Sequence, residues 1–316
     1  MSTTTSRPAA PAADKPVTRP GDRIFAGLST GSGVLILGTL VGVAAFLLWQ
    51  AWPAITADPS EVRGGQGLLW YIGPLVYGTL VAAVIALIIA FPLSIGIALF
   101  ISHYAPRRLA QTLGYIVDLL AAVPSVVFGL WGISVIGPMM LGIQAWSVDN
   151  LAFLPFIGGP ASPKSMLVTG TVLAIMILPI MTAVNREVFL QTPRLHEEAS
   201  LALGATKWEM IQQAVIPFGR SGVISGAMLG LGRALGETMA VAIILSVSAR
   251  YTAVITSPAN PGTIAADIAL QFPEARQGPE LATLVASGLV LFLVTLIVNM
   301  TARWIISRRA EFSGAN

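Results

Sequence analysis

Six stretches of this chain, 24–52, 72–101, 113–141, 166–189, 221–247 and 281–304, are apolar almost without interruption. A hydrocarbon layer of roughly 30 Å is crossed by about 20 apolar residues in helical form, and each stretch meets that length. Lipid offers no partner for a free N–H or C=O, so a spanning segment must satisfy its own backbone. The runs are too long and too evenly apolar for barrel strands, which leaves helices. The expected fold class is therefore an all-α membrane protein with six transmembrane helices. Composition agrees: 55% of the 316 residues are hydrophobic and only 10% are charged, too few to solvate a soluble surface. Pro92, Pro124 and Pro179 interrupt three of the runs and predict kinks, their freed carbonyls being satisfied by neighbouring helices.

Charge sets the expected orientation. With both termini cytosolic, every Lys and Arg lies inside except Arg63, Lys164, Arg250 and Arg276 outside and Arg233 within a span, whereas the inverted topology breaks the positive-inside rule throughout. Trp49, Trp52, Trp70, Tyr71 and Trp146 then fall near the outer boundary as interfacial anchors. The net charge of +3 is scattered singly rather than gathered in a stripe, which argues against a nucleic-acid partner. With no cysteine, the chain has no disulfide framework, thiolate metal site or cysteine nucleophile, and His103 and His196 lie far apart, so no metal site and no catalytic residue are expected.

Residues 1–23, rich in Pro, Ala, Ser and Thr, are expected to be a disordered cytosolic tail. Residues 24–309 form the six-helix domain, and 310–316 a short C-terminal tail. The first apolar run carries no early cleavage pattern and is expected to remain as a span.

Between the fourth and fifth runs lies the polar loop 190–220. Leu195, Ala199, Ala202 and Leu203 recur there at helical spacing. Thr192-Pro193 supplies an N-cap and first-turn proline, Glu197 and Glu198 favour the first turns, and Gly204 supplies a stop. This predicts a short amphipathic helix over 194–204, followed by a second helical stretch that ends at Ile216-Pro217 before the next span. Its small residues suit close approach by another protein; a helix resting on lipid headgroups has the same periodicity.

The fifth run contains Arg233, with Glu237 one turn on. Counting from Ser221, Arg233 lies about 12 residues, or roughly 18 Å, into the membrane. A charge at that depth costs on the order of 3 kcal/mol and must face protein or water. A guanidinium presents a fixed cationic fork to an oxyanion, and Glu237 can pair with it at i, i+4. Two readings stand: Arg233 and Glu237 line a substrate path, or they form a buried ion pair that fixes helix packing. Asp118, expected a turn or two inside the third span, reads as structural. Gly222, Gly226 and Gly230 have the small-xxx-small spacing of close helix packing, and the chain has no phosphate-binding G-x-x-x-x-G-K-[ST] loop. The outer segment 251–280 either folds over a mouth and receives a partner or is a plain connection.

The loop has the register E-A-A, three residues, G, nine residues, I-x-L-P of ABC importer permeases: Glu198-Ala199-Ser200, Gly204 and Ala214-Val215-Ile216-Pro217. Glu198, Ala199, Gly204 and Pro217 match, and Ser200, Ala214 and Ile216 are conservative departures. The stretches Gly232-Arg233-Ala234-Leu235-Gly236-Glu237-Thr238-Met239-Ala240-Val241 and Asp118-Leu119-Leu120-Ala121-Ala122-Val123-Pro124-Ser125 resemble PstC-type permeases of bacterial phosphate ABC importers, as do Gly21-Asp22-Arg23-Ile24-Phe25 and Pro261-Gly262-Thr263-Ile264-Ala265-Ala266.

That resemblance implies a type I ABC importer permease fold in the bacterial cytoplasmic membrane, with 190–220 as coupling loop and Glu198, Ala199, Ser200 and Gly204 on the ATPase-coupling helix. It implies a sister permease in a heterodimer, two ATPase subunits that hold ATP and Mg, an external phosphate-binding protein, and no cofactor in this chain. Alternatives are a sulfate or molybdate importer, a secondary anion transporter, and a membrane scaffold that regulates uptake without carrying it.

Overall fold

A computed structural model describes residues 20–246 and 251–310, the last six of these by backbone alone. The expected tails up to residue 19 and from 311 onward lie outside the described residues, as do Val247 and Arg250. The chain divides into two units, up to Phe46 and from Leu47 onward. In the first, the described residues form one helix, the opening part of α1 (Pro20–Thr56), with no buried side chain before residue 47. Residues 20–23 lie in this helix rather than in the expected tail.

The second unit holds the remaining helices. Its helices are α2 (Leu68–Leu99), α3 (Arg107–Ala121), α4 (Ser125–Trp131), α5 (Gly137–Asn150), α6 (Met166–Leu190) and α7 (Arg194–Ala202), then α8 (Lys207–Met210), α9 (Ile216–Leu235), α10 (Met239–Ile244), α11 (Ile264–Gln271) and α12 (Pro279–Ala310). π turns at 100–104, 132–136 and 211–215 extend α2, join α4 to α5 and join α8 to α9. Six segments among the described residues are long and apolar enough to span: Pro20–Thr56, Leu68–Tyr104, Ser125–Asn150, Met166–Leu190, Lys207–Leu235 and Pro279–Trp304.

The third span departs from the expectation. In place of one run over 113–141 the chain forms the separate amphipathic α3, turns at Ala122–Pro124, and starts its span at Ser125. Pro124 disfavours helical geometry at the residue before it, and its own backbone is extended, with ψ 139°. The kink expected at Pro124 is thus a full break, while α2 and α6 continue through Pro92 and Pro179. Asp118 accordingly lies on the exposed side of α3 and not inside a span.

Helix α6 is the centre of the unit: Val168, Val172, Leu173, Met176, Ile177 and Met181 are all at most 1% exposed. Two neighbours approach it closely through small residues. Ala82, Ala83, Ala86 and Ala90 of α2 are buried against it. On α9, Gly222 faces Val188, Gly226 faces Asn185 and Gly230 faces Met181; a methyl group at Gly226 would sit 2.9 Å from Asn185 Oδ1, and one at Gly230 2.7 Å from Met181 Sδ. The glycine spacing thus serves packing within this chain. Between α2 and α6, Asn185 Nδ2 donates to Ser94 Oγ at 3.2 Å, the kind of interhelical polar contact that registers helices where lipid supplies no hydrophobic drive.

The segment after α10 is no plain connection. Gly78 of α2 lies directly against the carbonyl oxygen of Gly262, and Ile264 N donates to Thr79 Oγ1 at 3.1 Å. Thr263 Oγ1 caps α11 by accepting from Ala266 N. Behind the cap, fully buried Asp267 accepts from Tyr71 Oη at 2.7 Å and from Gln271 Nε2. Tyr71, expected as an interfacial anchor, is thereby 8% exposed and committed to this network.

Gly226→Leu is expected to lower the stability of the detergent-solubilised chain by about 1–3 kcal/mol, the cost of overpacking a tight contact, read as a fall in thermal midpoint. Burial raises the Asp267 carboxyl above the ordinary carboxylate range, and the bonds from Tyr71 and Gln271 draw it back. With its pKa higher folded than unfolded, Asp267 favours the fold most in acid, and that contribution falls as pH rises through the shifted value. Tyr71→Phe removes a donor to the charged form. Its destabilisation is expected to be on the order of 1–3 kcal/mol at neutral pH and to shrink towards about pH 4, the ordinary Asp value, in a midpoint-against-pH series.

Candidate functional site

The loop between α6 and α9 folds into α7 and α8. Helix α7 follows Pro193 and ends in a glycine cap: Gly204 has φ +88°, Gly204 N donates to Leu201 O at 3.0 Å, and Ala205 N donates to Ser200 O at 3.3 Å. This double bond pattern is the Schellman motif, and the left-handed residue in it favours glycine. Helix α8 opens with a capping box, Thr206 N donating to Glu209 Oε2 at 2.7 Å and Glu209 N to Thr206 Oγ1 at 3.3 Å.

Two expectations fail locally. Thr192 does not cap α7: among the described residues its buried hydroxyl has no hydrogen-bond partner, and the cap residue is Pro193. Nor does a helix end at Ile216-Pro217. The run Lys207–Leu235 passes through, with the π turn at 211–215 directly before Pro217, which sits in the first turn of α9 where a missing N–H costs little.

Glu198, Ala199, Ser200 and Gly204 all belong to α7 and its cap, on different sides. Ser200 faces inward, 8% exposed, its Oγ 3.2 Å from Gln213 Oε1. Glu198 and Ala199 face outward, and Leu195 and Leu203, four residues either side of Ala199, are 78% and 90% exposed. A small cavity bordered by His196, Ser200, Gln213 and Phe218 lies beside this face.

Contacts not foreseen from sequence hold the inner side. His103 Nε2 lies 3.6 Å from Glu197 Oε1, and Lys207 Nζ lies 4.8 Å from the centre of the Tyr104 ring. His103 and Tyr104 close the π turn that ends the second span, beyond the expected end at residue 101. The only sequence signal was that a histidine and an aromatic residue directly follow an apolar run.

Arg233 and Glu237 are brought near the middle of the bundle but not to one another. Gly230, one turn before Arg233, meets Met181 and Ile177 halfway along α6, which fixes the depth. Helix α9 then stops at Leu235, and α10 starts at Met239. The i, i+4 pairing requires a continuous helix, and the break at Gly236 removes it: among the described residues Arg233 forms no ion pair, and its Nε is buried without a hydrogen-bond partner. Glu237, 8% exposed, instead caps α10, its Oε1 accepting from Ala240 N at 3.2 Å. The charges match the helix ends they occupy, arginine in the last turn of α9 and glutamate at the start of α10. A guanidinium with an unanswered donor beside a helix break has the chemistry to receive an anion.

Residues 90–311 match the family described as "Binding-protein-dependent transport system inner membrane component". Two solved structures share the fold: an inward-facing MetNI methionine ABC transporter (TM-score 0.52, 14% identity, 76% of this chain and 96% of that one), and a bacterial ABC transporter that imports alginate (TM-score 0.54, 16% identity, 90% and 99%). Fold and family together define a multi-pass inner-membrane component of a transport system, with the type I importer permease architecture.

Among curated relatives, the phosphate transport system permease protein PstC of Mycobacterium leprae is 42% identical over 93% of this chain and 96% of its own length. PstC 2 of Mycobacterium tuberculosis is 40% identical over 94% and 95%, and PstC of Xylella fastidiosa 40% over 93% and 93%. The chain belongs to the PstC family.

Gly204→Val forces a branched side chain into left-handed geometry. It is expected to fray the end of α7, costing about 1–2 kcal/mol locally, and to show as faster amide hydrogen exchange across 194–206 while α6 stays protected.

Proposed function

We propose that this chain is a transmembrane permease subunit of an ATP-driven inorganic phosphate importer, in which it forms half of the translocation path. The observation that carries the reading is Arg233: a half-buried guanidinium with an unpartnered Nε, at mid-bundle depth, where α9 breaks, in a chain closely similar to phosphate permeases. A phosphate ion at the break would take the free donors of Arg233. Glu237, held on Ala240 N by one oxygen, would accept from a protonated phosphate, a proton that ionised sulfate does not carry.

The chain has no nucleotide loop of its own, so ATP and Mg belong to separate ATPase subunits, of which the importer has two. The outward face of α7, with Glu198 and Ala199 between Leu195 and Leu203, is the surface offered to one of them. A sister permease completes the path, an external binding protein delivers phosphate, and the positive-inside distribution puts α7 and both termini in the cytosol. Closure of the ATPase pair draws α7 inward and opens the path outward; hydrolysis resets it.

Labelled-phosphate uptake into proteoliposomes holding this chain with its co-purified partners tests the reading. Arg233→Gln is expected to reduce uptake by about a hundredfold, the loss of two charge-assisted contacts at about tenfold each, with complex assembly retained. Uptake unchanged in Arg233→Gln would return Arg233 to a packing role, and labelled sulfate carried in preference to phosphate would overturn the substrate.

A further inference from the structure

A second arginine, near the C-terminal end of α6, has the same unanswered chemistry. Arg186, in the last turns of α6, has a buried Nε without a hydrogen-bond partner, and among the described residues it forms no ion pair. It borders an open cavity of about 520 Å³ lined by the ends of α2 and α6, by α3 and by the first residue of α7. Arg107, at the start of α3, and Arg194, at the start of α7, line the same cavity, and neither forms an ion pair among the described residues.

Gln111 adds an amide and Asp118 the one carboxylate, so three cations face a single anion across the space. Helix α3 approaches this closely because Gly114 has no side chain: the guanidinium of Arg186 occupies the place a Cβ would take. Three guanidiniums gathered in one concavity repel one another, and among the described residues none of them forms an ion pair with Asp118 or any other carboxylate. The missing partner is an anion with several acceptor oxygens, which arginine's fork receives bidentately.

Position narrows the class. The second span ends at Tyr104 and the fourth at Leu190, so the cavity sits where hydrocarbon gives way to headgroups. Beside it α3 turns Tyr115 and Leu119, 72% and 71% exposed, outward. Basic pockets between span ends at this level suit anionic phospholipid headgroups, and a free phosphate ion presents the same oxygens.

We propose that Arg107, Arg186 and Arg194 form a binding site for a phosphate-bearing anion at the α7 end of the bundle, separate from Arg233. The assignment goes beyond the transport reading and holds whichever solute crosses the membrane.

The test uses the full-length chain in two arms. In the lipid arm, protein from vesicles of phosphatidylcholine with and without phosphatidylglycerol is extracted, and retained lipid is counted by native mass spectrometry. In the ion arm, binding of labelled inorganic phosphate is measured in lipid-free detergent as the difference from wild type, so that Arg233 is common to every sample. Wild type is expected to retain phosphatidylglycerol over phosphatidylcholine. Arg186→Gln and Arg107→Gln are each expected to cut anion binding by about tenfold, one charge-assisted contact. Exposed Arg220, outside the cavity, serves as control, and Arg220→Gln is expected to change nothing.

Loss in the lipid arm alone identifies a headgroup, and loss in the ion arm alone a free phosphate ion. Arg107 is exposed at a helix start, so its variant keeps the question open if Arg186→Gln fails to fold. Unchanged binding in both arms for both variants, or an equal loss in Arg220→Gln, overturns the proposal.

Discussion

Everything in the second unit depends on how closely α2 and α9 approach α6. Inside lipid, burying an apolar side chain against another helix gains little over leaving it in acyl chains, so the bundle relies on dispersion contacts at short range and on a few polar bonds. Alanines on α2 and glycines on α9 provide that range, and the Asn185–Ser94 bond sets the register. Large side chains of α6, Met181 and Val188 among them, fill the space the small residues leave. The stripe of glycines therefore decides where α9 runs, and with it where its last turn delivers Arg233.

Just past that point the helix breaks. A continuous helix would place Glu237 one turn above Arg233 and let the two charges satisfy each other. Ending α9 at Leu235 separates them, giving the glutamate a backbone N–H at the start of α10 and leaving the guanidinium donor free. The polar cost of the layer is met on the acidic side within the chain and kept open on the basic side. The Arg233–Glu237 ion pair is thereby absent, and the proposed anion path rests on that asymmetry.

The spans were legible because their signal is length and apolarity, which tertiary packing does not override; the fourth run, 166–189, matches Met166–Leu190 almost to the residue. The third was misjudged because a count of apolar residues ignores which face they occupy. Arg107, Gln111 and Asp118 gather on one side of α3, and Pro124 then separates that surface helix from the true span. In the polar loop, helix and stop followed from local chemistry, whereas nothing local marked Ser200 as the residue that turns inward onto Gln213, and the proline at 217 misled because a π turn can carry a helix into it. Long-range contacts such as His103 with Glu197 leave no local trace. The depth of Arg233 could be counted along the chain, but not the loss of its partner, which turns on a backbone change at Gly236.

Helix α7 is fastened at two places to two different spans. Glu197 and the neighbouring Lys207 reach His103 and Tyr104 at the foot of α2, while α8 runs through its π turn straight into α9. A push on α7 is thus shared, as by a yoke, between the two helices that flank α6. Under the proposed coupling, a displacement of α7 would load α2 and α9 together, on the two sides of α6, rather than tilt one rod.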